Sequence, residues 1–108
     1  MSAGHCVYVV LTSKPGSYRT EPNADIELVE AWDYLLCGRL RARFHIGRLL
    51  RETRVRVVDE DGTVNQVPSK FLERFDTYAQ ARRELDRLCT FGTLDARLQA
   101  AAVAAPLP

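Results

Sequence analysis

Cysteine and histidine are scarce in this chain of 108 residues. The three cysteines (Cys6, Cys37 and Cys89) are odd in number and widely spaced, which argues against a disulfide framework and suits a reducing compartment. No CxxC pair occurs and the histidines are limited to His5 and His45, so neither a zinc site nor an iron–sulfur cluster is expected. We therefore predict a cytoplasmic protein with buried, unreactive thiols, no metal and no cofactor.

Long apolar segments are also missing. The apolar run Cys6–Leu11 is too short to span a bilayer, and no basic segment followed by an apolar stretch marks a signal peptide. The Gly-x4-Gly-Lys pattern of a phosphate-binding loop is absent, as is any internal repeat. With 46% apolar and 27% charged residues, the chain has the composition of an ordinary soluble globular domain, and we expect no contact with a membrane.

The net charge of +1 gives no support to general polyanion binding. Basic residues are nevertheless concentrated between Arg39 and Arg56, where seven arginines face a single acidic residue, Glu52. Apolar residues alternate with the basic ones over residues 39–46, which is the pattern of a β-strand with one solvent-exposed face. Residues 54–58 show a similar alternation.

These two segments are predicted to form a hairpin whose register is set by burial. Pairing Ile46 with Val55 would place apolar side chains opposite each other, and the same register would pair Phe44 with Val57. On the other face this register sets His45 against Arg56, and it also sets Arg41 against Glu60.

The basic face of this hairpin is the predicted binding site, because arginine offers a planar fork suited to carboxylate and phosphate groups. The loop that precedes it contributes further polar candidates, including Lys14. The predicted ligand- or partner-binding residues are Arg39, Arg41, Arg43, His45, Arg54, Arg56, Tyr18 and Arg19. An alternative, which the arginine-rich composition favours, is a face neutralised from within by Glu27, Glu30, Asp33 and the acidic turn at 59–61.

The remaining segments give a coarse secondary structure. Residues 26–37 have the apolar spacing of an amphipathic helix with Asp25 and Gly38 as caps, although a strand is the competing interpretation. Asp61-Gly62 predicts a type I′ hairpin turn. The other predicted elements are a buried strand at 6–12, a turn at 14–16, an edge strand at 63–67, an inward-facing helical turn at 69–75, a helix at 77–89 and a strand at 93–98.

The order of these elements predicts an α+β domain with a ferredoxin-like βαββαβ arrangement, an antiparallel sheet with two helices on one face. If residues 26–37 form a strand, the alternative is a small, partly closed antiparallel β-barrel with a C-terminal helix. The predicted domain covers residues 1–98, and residues 99–108 form a low-complexity C-terminal tail.

We expect a small accessory protein, not an enzyme, that engages an acidic protein partner or a small anionic ligand through the basic face. One alternative is a small enzyme or regulator with a pocket formed by the 14–25 loop and His45. Weak nucleic-acid binding is a third and unlikelier function, because the best aromatic residue of the hairpin, Phe44, falls on its buried face. Trp32 and Tyr34 are expected in the core or an interface, and pairing of sheets into a homodimer is possible.

Overall fold

The computed structural model describes residues 7–89 and 96–101. Within these residues the chain forms eight β-strands, one α-helix and one short 3₁₀ turn at Ser69–Phe71. The strands are β1 (Val7–Ser13), β2 (Tyr18–Glu21), β3 (Ile26–Leu36), β4 (Arg39–Leu49), β5 (Arg54–Asp59), β6 (Val64–Pro68), β7 (Glu73–Phe75) and β8 (Ala96–Ala101). The helix, α1, spans Tyr78–Cys89.

The strands form two antiparallel sheets. The larger sheet has the order β7-β1-β4-β3-β8, and the smaller has the order β2-β5-β6. The prediction of a ferredoxin-like α+β fold with two helices is therefore wrong, because the described residues are mostly antiparallel β-structure with a single α-helix. The structure supports the strand interpretation of residues 26–37 and the small antiparallel β fold of the alternative. The helix is not C-terminal as that alternative had it, because β8 follows α1.

Residues 26–37 were predicted to be helical because both faces of β3 carry apolar residues. β3 lies between β4 and β8, and its pairing with β4 shifts register between Leu28 and Glu30. That irregularity breaks the period-2 alternation and produces a spacing that imitates a helix. Cys37 and Gly38 both have positive φ, 53° and 78°, as the two central residues of a type I′ hairpin turn require.

The predicted hairpin between the two arginine-rich segments does not form. β4 pairs with β1 and β3, so Phe44 lies opposite Thr12 and Trp32. β5 belongs to the other sheet and pairs with β2 and β6. Alternation fixes which side chains share a face, but it leaves the choice of the partner strand open.

The core has two parts, one on each side of the larger sheet. On one side α1 packs its buried Ala81 and Leu85 against Phe44 and its neighbours on β4. On the other side Val9 and its neighbours pack against Val55 of the smaller sheet. β4 is thus covered on both faces, and its residues 42–47 are all buried.

The β5–β6 hairpin and the edge position of β6 are confirmed. The turn of this hairpin is not the predicted type I′, because, of Asp61 and Gly62, only Gly62 has a positive φ, 89°. The Gly62 N–H donates to the Asp59 carbonyl at 2.9 Å. This is the pattern of a turn closed by a glycine bulge.

The C-terminal half agrees in part with the prediction. The helix begins at Tyr78 as expected, and the Thr77 hydroxyl accepts a hydrogen bond from the Gln80 N–H at 3.1 Å. The predicted helical turn at 69–75 is instead a 3₁₀ turn followed by β7, and Phe71 points outward with 71% of its surface exposed. Residues 93–95 lie outside the described residues, and β8 runs to Ala101, three residues into the predicted tail.

Candidate functional site

The predicted basic face is divided between two sheets. Residues 39–45 of β4 belong to the five-stranded sheet, whereas Arg54, Arg56, Tyr18 and Arg19 belong to the three-stranded sheet. None of the ion pairs in the described part of the chain joins Arg41 to Glu60, as the hairpin register had predicted. The eight predicted site residues therefore lie on two different sheets.

Arg43 is buried in the structure instead of facing solvent. Its residue surface is 7% exposed, and its guanidinium binds the Asp33 carboxylate through two hydrogen bonds of 2.5 and 3.0 Å. Arg43 and Asp33 are direct cross-strand neighbours on β4 and β3. The hydrogen bond to Asp33 is the main cause that raises the pKa of Arg43, so this arginine is neutralised from within.

His45 is also buried, with 9% of its surface exposed. Its neighbours across the strands are Leu11 and Ala31, and not Arg56 as predicted. Strand β4 places it in the part of the sheet that is covered on both faces. The hypothesis of an enzyme with a pocket formed by His45 and the 14–25 loop stays a prediction.

The outer face of the smaller sheet keeps three of the predicted arginines. Arg19 and Arg56 both contact the Glu21 carboxylate, at 2.9 and 3.7 Å. Arg54 is exposed on the same strand as Arg56 and two residues before it. One carboxylate therefore stands against three guanidinium groups on this face.

A cleft brings two of the predicted residues, Tyr18 and Arg41, together at one end of the larger sheet. Its volume is about 620 Å³. We call it the basic cleft, and the side chains that define its character are Lys14, Tyr18, Tyr34, Arg41, Phe44 and Glu73.

The turn between β1 and β2 forms one wall of the basic cleft. Lys14 and Tyr18 exchange main-chain hydrogen bonds of 2.9 and 3.0 Å, and Gly16 between them has φ 75°. Pro15 and Gly16 therefore form a tight turn. Proline occupies position i+1, where it is preferred, and glycine occupies position i+2, where φ is positive. Two further bonds tie Thr20 of β2 to β1, one of them from its N–H to the Ser13 hydroxyl at 2.9 Å. These contacts hold Lys14 and Tyr18 over the end of the sheet.

The floor of the basic cleft comes from the strands of the larger sheet. Tyr34 lies two residues beyond Trp32 on β3, and Phe44 is the cross-strand neighbour of Trp32 on β4. Both rings are therefore on the sheet face that α1 covers farther along. Tyr34 was not among the predicted site residues, because residues 26–37 were predicted to be helical. The strand alternative nevertheless placed Trp32 and Tyr34 on one face.

The charge of the basic cleft comes from Lys14 and Arg41, with Glu73 as the acidic lining residue. Neither cation takes part in an ion pair with another described residue. Burial raises the pKa of Tyr18, so its hydroxyl stays protonated and can donate a hydrogen bond at neutral pH. Lysine and arginine can pair with an anion, and aromatic rings can pack against a planar ring.

A second polar cluster, which the sequence did not predict, lies beside α1. The Tyr78 hydroxyl donates to the Glu30 carboxylate at 2.5 Å, and the Trp32 indole N–H donates to the same carboxylate at 2.9 Å. Arg82 stacks over the Trp32 ring at 4.1 Å. The hydrogen bond to Glu30 is the largest cause that raises the pKa of Tyr78. This cluster fastens the start of the helix to the sheet.

The protein matches no family model, no curated protein and no solved structure. Within residues 7–89 and 96–101, no three histidine, cysteine or acidic side chains are grouped closely enough to hold a metal ion. The one α-helix of these residues lacks the length and apolar content needed to cross a bilayer. Cys37 is an exposed free thiol, contrary to its predicted burial, and Cys6 and the side chain of Cys89 lie outside the described residues.

Proposed function

We propose that the protein is a small binding protein that takes an anionic ligand with a planar ring into the basic cleft. The observation that carries the proposal is that Lys14 and Arg41 line the same cleft as Tyr34 and Phe44 and form no ion pair with another described residue. The cleft volume of about 620 Å³ is within the range common for small-molecule sites. The predicted function is retained in this form, as binding of a small anion, without the hairpin face.

Each group of the basic cleft has a part in this proposal. Arg41 binds the anionic group through its guanidinium, and Lys14 adds a second positive charge from the opposite wall. Tyr34 and Phe44 contact the planar ring, while Tyr18 donates a hydrogen bond to a polar substituent. We place this binding activity in the cytoplasm, where the exposed thiol of Cys37 would stay reduced.

Titration calorimetry with adenosine monophosphate, flavin mononucleotide and 4-hydroxybenzoate tests the proposal, with uncharged adenosine as the comparison ligand. At least one of the anions is expected to bind, and its affinity is expected to fall with added salt. Arg41→Ala is expected to weaken binding by about tenfold or more, because a hydrogen bond to a charged group is lost.

Arg39→Ala is the matched control. Arg39 is an exposed arginine of the same strand that does not line the basic cleft. The proposal is wrong if no anion binds, if adenosine binds as tightly as its monophosphate, or if the Arg39 and Arg41 variants lose the same affinity.

A further inference from the structure

The outer edge of β6 presents main-chain groups that no strand in residues 7–89 or 96–101 covers. The Asp59 N–H donates to the Thr63 carbonyl, and the Ser69 N–H donates to the Thr53 carbonyl, both at 2.8 Å. In an antiparallel ladder, hydrogen-bonded pairs alternate with non-hydrogen-bonded pairs. These two bonds therefore assign Val58–Val64 and Arg56–Gln66 to the non-hydrogen-bonded class. Val64 and Gln66 point their N–H and C=O groups away from β5, toward the open edge.

The face beside this edge is basic. Arg56 lies directly opposite Gln66, and Arg54 lies directly opposite Pro68. A strand added to β6 would place one residue beside Gln66, in line with Arg56, and another beside Pro68, in line with Arg54. Glu21 is the acidic residue of β2 and β5 that shares this outer face, and its carboxylate is already divided between Arg19 and Arg56.

The charges also give the edge a direction. The turn that joins β5 to β6 is acidic at Asp59, Glu60 and Asp61, so the Val64 end of the strand is negative. The Pro68 end has Arg54 opposite it and Lys70 just beyond it. An acidic side chain on an added strand is therefore favoured toward the Pro68 end and disfavoured toward the turn.

We propose that the β6 edge binds an acidic, extended segment of another protein, which adds to the smaller sheet as a fourth strand. Strand addition of this kind takes affinity from main-chain hydrogen bonds and specificity from alternate side chains. Arg54 and Arg56 would then lie across β6 from acidic residues at alternate positions of the bound segment. Val64, which is 42% exposed, would supply an apolar contact near the other end. This site is separate from the basic cleft and does not depend on it.

Charge selects an acidic segment over a second copy of this chain. Pairing two β6 edges would put two β6 strands between the arginines of the two copies, and Val64–Pro68 carries no acidic side chain that could pair with Arg54 or Arg56. An acidic segment instead brings carboxylates that only β6 separates from Arg54 and Arg56, and opposite charges at that separation attract. The acidic segment is therefore the occupant that fits this surface.

Fluorescence anisotropy with a labelled ten-residue peptide that alternates glutamate and threonine tests the proposal. The same peptide with lysine in place of glutamate tests charge, and a version with N-methylated main-chain nitrogens tests strand pairing without altering the protein. We expect the acidic peptide to bind and the lysine peptide not to bind. N-methylation is expected to weaken binding about tenfold or more, because main-chain hydrogen bonds are lost.

Protein variants and amide NMR locate the contact. Arg56→Gln is expected to weaken the acidic peptide about threefold to tenfold, and Arg83→Gln, at an exposed arginine of α1, is expected to have no effect. The amides of Val64 and Gln66 should become protected from hydrogen exchange when the peptide binds.

Four results would overturn the proposal. They are failure of the acidic peptide to bind, equal binding of the N-methylated peptide, displacement of the peptide by an equal concentration of oligo(dT), and protection of the same amides through self-association of the protein alone.

Discussion

Replacing Asp33 with alanine would leave the buried guanidinium of Arg43 without its carboxylate. Removing one partner of a buried ion pair generally costs about 3–5 kcal/mol, because the remaining charge keeps its desolvation cost. The Arg43 side chain is 8% exposed and that of Asp33 is 16% exposed, so some water reaches the acidic partner. We therefore expect a loss near the lower limit, about 3 kcal/mol.

For a domain of this size, that loss corresponds to a decrease in Tm of about 12 °C, at about 4 °C per kcal/mol. Urea unfolding followed by circular dichroism measures the free energy directly, and an unchanged slope would show that the denatured state is unaffected. Total stabilities of such domains are about 5–15 kcal/mol, so the variant should fold but at a much lower urea midpoint.

Glu27→Ala is the matched control, because Glu27 lies opposite Arg48 on the same two strands. The side chains of that pair are 53% and 40% exposed, and an exposed ion pair contributes at most about 1 kcal/mol. The double variant Asp33→Leu, Arg43→Met should recover most of the stability lost by Asp33→Ala, because neither charge then remains buried. Equal losses for Asp33→Ala and Glu27→Ala, or a double variant less stable than Asp33→Ala, would refute the reasoning.

Three smaller perturbations have equally definite outcomes. Gly47→Ala would place a Cβ 2.5 Å from the Ile26 Cγ2, so a loss of about 1–3 kcal/mol is expected in urea unfolding, and an unchanged midpoint would contradict the close approach. Thr77→Ala removes the N-terminal cap of α1 and should cost about 1 kcal/mol, whereas Thr77→Ser should retain most of it. The pKa of Glu52 is below its ordinary 4.5, mainly because Arg74 donates hydrogen bonds to this carboxylate and, to a smaller extent, because Ser69 does. The stability that this group contributes is therefore complete above pH 4.5 and lost as the pH falls through its folded pKa, and Glu52→Gln should flatten that part of a pH–Tm profile.

Sequence patterns predicted individual strands better than their partners. The alternation at residues 39–46 correctly indicated a strand, and Asp61-Gly62 correctly indicated a hairpin. The pairing of β4 with β1 and β3 involves residues distant in sequence, and every apolar strand of the chain was an equally suitable partner for it.

The burial of Arg43 was unpredictable for a related reason. Alternating arginines normally mark a solvent-exposed face, but this expectation assumes that only one face of the strand is covered. β4 is the central strand of five and lies between α1 and the smaller sheet, so both of its faces are covered. Neutralisation of the arginines by Asp33 was one of the predicted alternatives, but Asp33 was then expected to lie on a helix and not on a neighbouring strand.

The candidate site was predicted only in fragments. Tyr18 and Arg41 were both named from sequence, and the long segment after β1 was recognised as a source of polar residues. Their meeting depends on the tight turn at Pro15-Gly16, which sends the chain from one sheet into the other. No local sequence pattern specifies which strands lie next to such a turn. The contribution of Tyr34 to the cleft was therefore not predicted.

The position of β8 has a consequence for the nascent chain. β3 is eleven residues long and rich in apolar residues, and β8 pairs with its outer edge from Leu36 back to Ala31. During synthesis the other described strands emerge before residues 96–101. The outer edge of β3 therefore stays open and prone to aggregation until β8 has been synthesised. Shortening the chain before Ala96 should therefore reduce the yield of soluble protein by exposing that edge, even though the basic cleft and both core clusters' buried residues would all be retained.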